Sequence, residues 1–247
     1  MAKTLSLILI LTAYLYFQVP VYSQPSAILQ FYGGYSLPTG DFKGTFGPTH
    51  ATFTSGNPDS NTYFMKTGYN YGISLKKLFG KKKNLFLTGE LSFNLFHQNV
   101  DYNLNTANPE NMRLRINVTS VYLGAGWFFN PRKGINPFVE LGLIASYFSG
   151  TLDDILATVD TQHLLRGTIR LGFEGGAGVD IPIQYNVGLA FGAKYSLANI
   201  IGKSYEKDDA QNYSLNDKEH VQDNSNHPSR NITYFQFYGG VSFYFGR

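Results

Sequence analysis

Through most of the chain, apolar and polar residues alternate with a period of two, the spacing of a strand whose two faces meet different media. The longest run is Leu165 to Ile181. Its odd positions, Leu165, Gly167, Ile169, Leu171, Phe173, Gly175, Ala177, Val179 and Ile181, carry no charge, whereas the even positions include Arg166, Arg170, Glu174 and Asp180. The same rhythm runs through Leu85 to Leu95, Val139 to Tyr147, Tyr185 to Leu197 and Phe235 to Phe245, and more weakly through Ala27 to Leu37 and Tyr63 to Leu78. In one further segment the apolar row Met112, Leu114, Ile116, Val118 gives way to Val121, Leu123, Ala125, Trp127. That change of phase predicts a β-bulge near Thr119 and Ser120. The reading is eight strands and an all-β fold.

The connections come in two sizes, in alternation. Phe79 to Asn84, Asn130 to Gly134 and Pro182 to Gln184 are short. Pro38 to Thr62, Asn99 to Asn111, Gly150 to Gln162 and Gly202 to Arg230 are long and rich in turn residues. Tight turns at one end and long loops at the other are the asymmetry of an outer-membrane barrel. A soluble eight-stranded barrel also alternates, but its apolar rows fill the inside and its charges cover the outside. Here the polar rows hold isolated charges among glycines and serines. The apolar rows run nearly free of charge for about ten residues each, the length a tilted strand needs to cross a bilayer. The prediction is an eight-stranded antiparallel up-and-down transmembrane β-barrel, apolar rows in lipid and every backbone group paired around a closed sheet. Tyr69, Tyr71, Trp127, Phe128, Phe129, Tyr147, Tyr185, Tyr195 and Phe245 lie near the row ends as candidates for interfacial aromatic girdles.

Composition agrees with a surface that does not face water everywhere: 16% of residues are aromatic and only 15% charged, against about 25% charged in an average globular domain. A net charge of +3 is too small to point to nucleic acid. The absence of cysteine excludes disulfides, thiolate metal sites and an acylated N-terminal cysteine. Residues 1–23, with Lys3 ahead of an apolar run and small residues at Val21 and Ser23, read as a signal peptide, leaving residues 24–247 as one barrel domain. An even strand number then puts both termini in the periplasm.

Inward rows carry the candidate chemistry. Lys76, Glu90, Arg113, Arg115, Glu140, Arg166, Arg170, Glu174, Asp180 and Lys194 fall on them by parity. Eight strands enclose an interior just wide enough for side chains, so these charges are expected to pair and plug the lumen rather than line an ion path. The expected polar network is Glu90, Arg115, Glu140, Arg166, Arg170, Glu174 and Lys194, with Gly142, Gly172, Gly176, Gly178, Gly188 and Gly192 making room for it. Other signals are weak. His227-Pro228-Ser229 places a His two residues before a Ser but has no acid after it, and His220, His227, Asp217, Glu219 and Asp223 match no calcium-loop spacing. Gly175-Gly176-Ala177-Gly178 sits mid-strand and is no phosphate cradle, and Lys81-Lys82-Lys83 reads as a hairpin tip. No catalytic residue, metal or cofactor is expected.

At this level the chain resembles the small outer-membrane β-barrel family of the OmpA and OmpX type. Tyr32-Gly33-Gly34-Tyr35-Ser36-Leu37-Pro38-Thr39-Gly40-Asp41-Phe42 looks like that family's first strand and loop. Gly240-Val241-Ser242-Phe243-Tyr244-Phe245 resembles its C-terminal assembly signal, with Gly240, Phe243 and Phe245 implied as residues read by the barrel assembly machinery, although Gly246 and Arg247 follow the last aromatic. The resemblance implies the outer membrane of a Gram-negative-type bacterium, with membrane lipid as surroundings. A peptidoglycan-binding domain after the last strand, and cell-wall tethering through one, are not expected. The expected role is structural or surface-interacting, carried out by a monomer, with a surface ligand reached through four long loops. Gly202 to Arg230, which lacks apolar periodicity, is expected to be mobile and exposed at the cell surface and to be the main contact region. A narrow ion channel is the alternative, and a lipid A-modifying enzyme the more remote one.

Overall fold

The computed structural model describes residues 25–44, 63, 65–102, 110–130, 134–156, 159–206, 212–222 and 225–246; the expected signal peptide lies outside them. Among the described residues eight long strands form the wall: β1 (Ala27–Thr39), β2 (Thr67–Phe79), β3 (Leu85–Tyr102), β4 (Glu110–Phe128), β5 (Asn136–Leu156), β6 (Val159–Pro182), β7 (Val187–Ile201) and β8 (Thr233–Phe245). Each pairs antiparallel with its neighbour in sequence, and β1 pairs with β8 from Ala27–Phe245 to Thr39–Thr233, closing the sheet. No described helix is long and apolar enough to cross a membrane, which says nothing about crossing by strands.

Side chains sort by parity. Leu75, Leu87, Leu123, Leu141, Leu143, Ile169, Phe173, Phe191 and Phe237 are exposed on the outer wall, and their strand neighbours are buried or half-buried inside. Tyr69, Tyr71, Trp127, Phe129, Tyr147, Tyr185, Tyr195 and Phe245 are also exposed, but Phe128 turns inward and is buried. In the closing strand, Phe243 and Phe245 lie on the exposed row and Gly240 on the inner row.

Three expectations are corrected. First, β4 has no bulge at Thr119 and Ser120: its register with β3 and β5 is continuous from Asn111 to Trp127. Leu114, Ile116 and Val118 are apolar because they point into the barrel, where they are buried, and only from Val121 onward does the apolar row face out. Arg113 and Arg115 therefore stand on the outer face, exposed.

Second, two expected long loops are entered by strand: Asn99 to Tyr102 and Glu110 to Asn111 in the first, with 103–109 outside the described residues, and most of Gly150 to Gln162 in the second. The β3–β4 and β5–β6 ladders continue to Tyr102–Glu110 and Leu156–Val159. Polar residues such as Gln98, Asn99, Thr151, Asp153 and Gln162 interrupt the apolar rows here, so alternation fades while the backbone pairing, which needs no apolar side chains, goes on. The bulges that do occur lie in β6 and β7. Arg166 and Gly167 together face Ser149, and Ala198, Asn199 and Ile200 face Gly172.

Third, the Gly202 to Arg230 connection is in part folded into the barrel mouth: Leu215 and Asp217 are buried, and Asn212–Tyr213 pairs with β6. The anchors are single residues, invisible to a periodicity test.

The interior is layered. At the end where β1 begins and β8 finishes, Ile28, Leu78, Phe86, Phe128, Phe138 and Tyr244 form an apolar floor. At the far end Phe96, Ile116, Phe148, Ile232 and Tyr234 pack with Phe42, Tyr63, Met65 and Leu215 from the connections, forming an apolar lid. The charged layer lies between.

Candidate functional site

All eight strands contribute to the middle layer. Glu90 of β3, Glu140 of β5, Glu174 of β6 and Lys194 of β7 point inward and are buried, with Lys76 of β2 beside them. The Lys194 ammonium donates to Glu90 and lies 3.6 Å from Glu140 and 3.5 Å from Glu174. Lys76 pairs with Glu140 at 3.3 Å and sits 3.6 Å from the centre of the Phe138 ring, tying the ion layer to the apolar floor. Neutral donors complete the shell: the Tyr32 hydroxyl of β1 donates to Glu90 at 2.6 Å, and Ser196 and Gln236 donate to Glu174 at 2.6 and 3.0 Å. Rings of Tyr32, Tyr122 and Tyr238 lie 5.3 to 5.6 Å from Lys194 Nζ, their faces turned to the cation. Charges taken this far from water persist only when paired and hydrogen-bonded.

Glycines on the inner rows make space, though mainly for aromatic rings rather than for the charged chains expected. A Cβ at Gly72 would overlap the Tyr32 hydroxyl, and one at Gly192 the Tyr238 hydroxyl. Gly176 alone among the six expected gives way to an ion-layer stem, that of Lys194. Asp180, nearer the floor, accepts from Ser242 and Tyr244 at 2.7 and 2.8 Å.

The remaining expected members lie elsewhere. Arg115 is outside the barrel, for the reason given by β4. Arg166, displaced by its bulge, reaches Glu206 at 3.3 Å at the exposed rim. Arg170 is buried but joins the lid instead of the glutamates: its Nε and Nη2 donate to Asp217 at 2.9 and 3.0 Å, and Nη2 also donates to Ser204 at 2.9 Å. The β7 bulge turns Asn199 inward, where its amide donates to Asp217 at 2.9 Å and its carbonyl accepts from Ile232 N–H at 2.7 Å. Arg230 donates to the Leu215 carbonyl at 2.7 Å and stacks 4.3 Å from the Tyr63 ring centre, joining the first and last connections. Burial pushes the Tyr63 phenol above its ordinary range, with Arg230 pulling the other way.

Sequence parity could not find Asp217 or Asn199, because one sits in a connection and the other in a bulge. Ser229, singled out beside His227, donates to the Asp217 carbonyl at 3.3 Å and accepts from Lys203 at 2.9 Å, a tether within the last connection; the His227 side chain lies outside the described residues. Among the described residues no three His, Asp or Glu side chains gather as a cation site.

Comparison with known proteins gives one family match: the model described as outer membrane protein beta-barrel domain covers residues 9–217. No curated protein matches the sequence. Similar solved structures include Neisserial surface protein A, with 13% identity and a TM-score of 0.46, covering 90% of this chain and 99% of that one. OprG of Pseudomonas aeruginosa has 11% identity and a TM-score of 0.46, with 90% and 99% covered. Ail of Yersinia pestis has 10% identity and a TM-score of 0.41, with 89% and 99% covered.

Proposed function

The chain belongs to the outer membrane protein beta-barrel domain family, and from that premise we propose that it is a sealed, non-enzymatic barrel of the outer membrane whose role is structural and surface-interacting. The observation that carries this reading is the stacking of apolar floor, ion layer and apolar lid across the whole lumen. An ion entering it would have to break charge pairs that are already desolvated, a cost of several kcal/mol. The termini lie in the periplasm and the lid faces outward, so the tall β3–β6 wall stands at the cell surface. Its margins support contact with other molecules. The β2–β3 ladder ends at Thr67–His97 while β3 runs on to Tyr102, so among the described residues the last stretch of β3 pairs only with β4.

The test is conductance of the purified full chain in planar bilayers. We expect no stepwise current at moderate voltage; discrete, voltage-sustained steps in the wild-type protein would overturn the sealed-barrel reading in favour of a channel.

A further inference from the structure

The outer row of β4 changes character toward the lid end. Beyond Trp127 it runs Ala125, Leu123, Val121, Thr119, Asn117, Arg115, Arg113, and both arginines are exposed. The separation of Trp127 from Arg115 is about 12 residues, which at ~3.3 Å per residue and a tilt of about 40° is roughly 30 Å along the barrel axis. The apolar band of such a barrel is about 25 Å tall. Arg115 therefore stands just beyond the hydrocarbon, among lipid head groups, on the lipid side of the wall.

Register supplies its neighbours. Arg115 is directly opposite His97 of β3 and Thr151 of β5, and His97 stacks on Tyr69 at 6.1 Å. Arg113 is opposite Asn99 and Asp153, and Asp153 accepts from Gln162 at 2.8 Å. Among the described residues no carboxylate forms an ion pair with either guanidinium. Farther down the same wall, Val121 and Leu123 line an apolar groove of about 240 Å³ together with Leu143, Leu171 and Ile201.

We infer that this face holds a phosphate-bearing lipid, its phosphate between Arg113, Arg115 and His97 and an acyl chain in the groove below. Guanidinium forks match phosphate oxygens in paired, charge-assisted hydrogen bonds. Two adjacent arginines that form no ion pair with a described residue are a stable arrangement at a membrane surface when an anion lies between them. The groove selects a lipid over a free anion, because it places apolar surface within one lipid length of the charges. The inference rests on the membrane-spanning reading but not on the sealed lumen, so the conductance experiment and this one fail separately.

The experiment measures binding of diphosphorylated lipid A, and of the same lipid with its phosphates removed, to the full chain in detergent by native mass spectrometry. The wild type is expected to prefer the phosphorylated form by about tenfold or more. R113Q/R115Q should abolish that preference, R113K/R115K should keep part of it, and K81Q/K82Q should leave it intact. Heat-dependent gel mobility verifies that each variant is folded. Equal binding of the two lipids, an unchanged preference in R113Q/R115Q, or full displacement by millimolar inorganic phosphate would each overturn the proposal, the last by showing an anion site without a lipid.

Discussion

One ammonium, that of Lys194, meets carboxylates from three strands, and this makes its removal more damaging than that of any single partner. Lys194→Met leaves Glu90 and Glu174 buried with no cation and should lower unfolding free energy by ~3 to 5 kcal/mol in urea titrations of vesicle-embedded protein. The glutamates are not equivalent. Three carboxylates share two ammonium groups, those of Lys76 and Lys194, so the layer carries one formal negative charge in excess. Glu174 is the member most fully served by neutral donors, Ser196 and Gln236. Glu174→Gln should therefore cost less than about 1 kcal/mol, whereas Glu90→Gln, which weakens a direct ion pair, should cost ~3 kcal/mol or more. Equal losses for the two variants would show that the excess charge is not borne at Glu174.

Among elements, the lid is fastened around the buried Arg170–Asp217 pair. Asp217 accepts from Arg170, Asn199 and the Ser204 backbone, and the connection around it is drawn into the mouth through Leu215. Asp217→Ala strands the Arg170 guanidinium, and the connection should swing free while the strands remain paired. Trypsin added to intact cells should then cut between Gly202 and Arg230 at least about tenfold faster than in wild type, a conservative reading of a ~3 to 5 kcal/mol loss. Cleavage at Lys81 to Lys83 instead would show the opposite orientation. The contrast between strands and lid marks how far sequence reaches. Period-two alternation reveals a strand wherever its two faces meet unlike media, so the eight strands and the inward Glu90, Glu140, Glu174 and Lys194 are legible from residue order. Parity fails where both faces meet similar media. The polar extensions of β3–β6 look like loops, and β4, whose inner face becomes apolar under the lid, looks bulged and sends Arg115 to the wrong side. Asp217 and Asn199 are specified by partners distant in sequence, which no local pattern encodes.

At the scale of the molecule, closure converts a meander of local hairpins into one body. The purified protein should resist SDS at room temperature and shift in mobility after boiling, since unfolding requires the whole ring to open; a mobility indifferent to heating would contradict a closed sheet. The seam is tightly fitted, because a Cβ at Gly240 would overlap the Phe31 carbonyl and one at Gly34 the Phe237 carbonyl. Gly240→Val should reduce the folded band several-fold, whereas Gly89→Val, whose Cβ would meet only the Leu123 side chain at an ordinary van der Waals distance of 3.6 Å, should not. The seam also sets an order of events in time. Neighbouring strands meet across short chain distances, but Ala27 must find Phe245, and contacts so remote in sequence form late. Until they do, the sheet is open and Glu90, Glu140, Glu174 and Lys194, spread over four strands, can keep their water. Dehydration of the ion layer is thus deferred to the final step, and Lys194, reaching across to Glu90 while Tyr32 of the first strand donates to the same carboxylate, acts as a latch that slows reopening once the ring has shut.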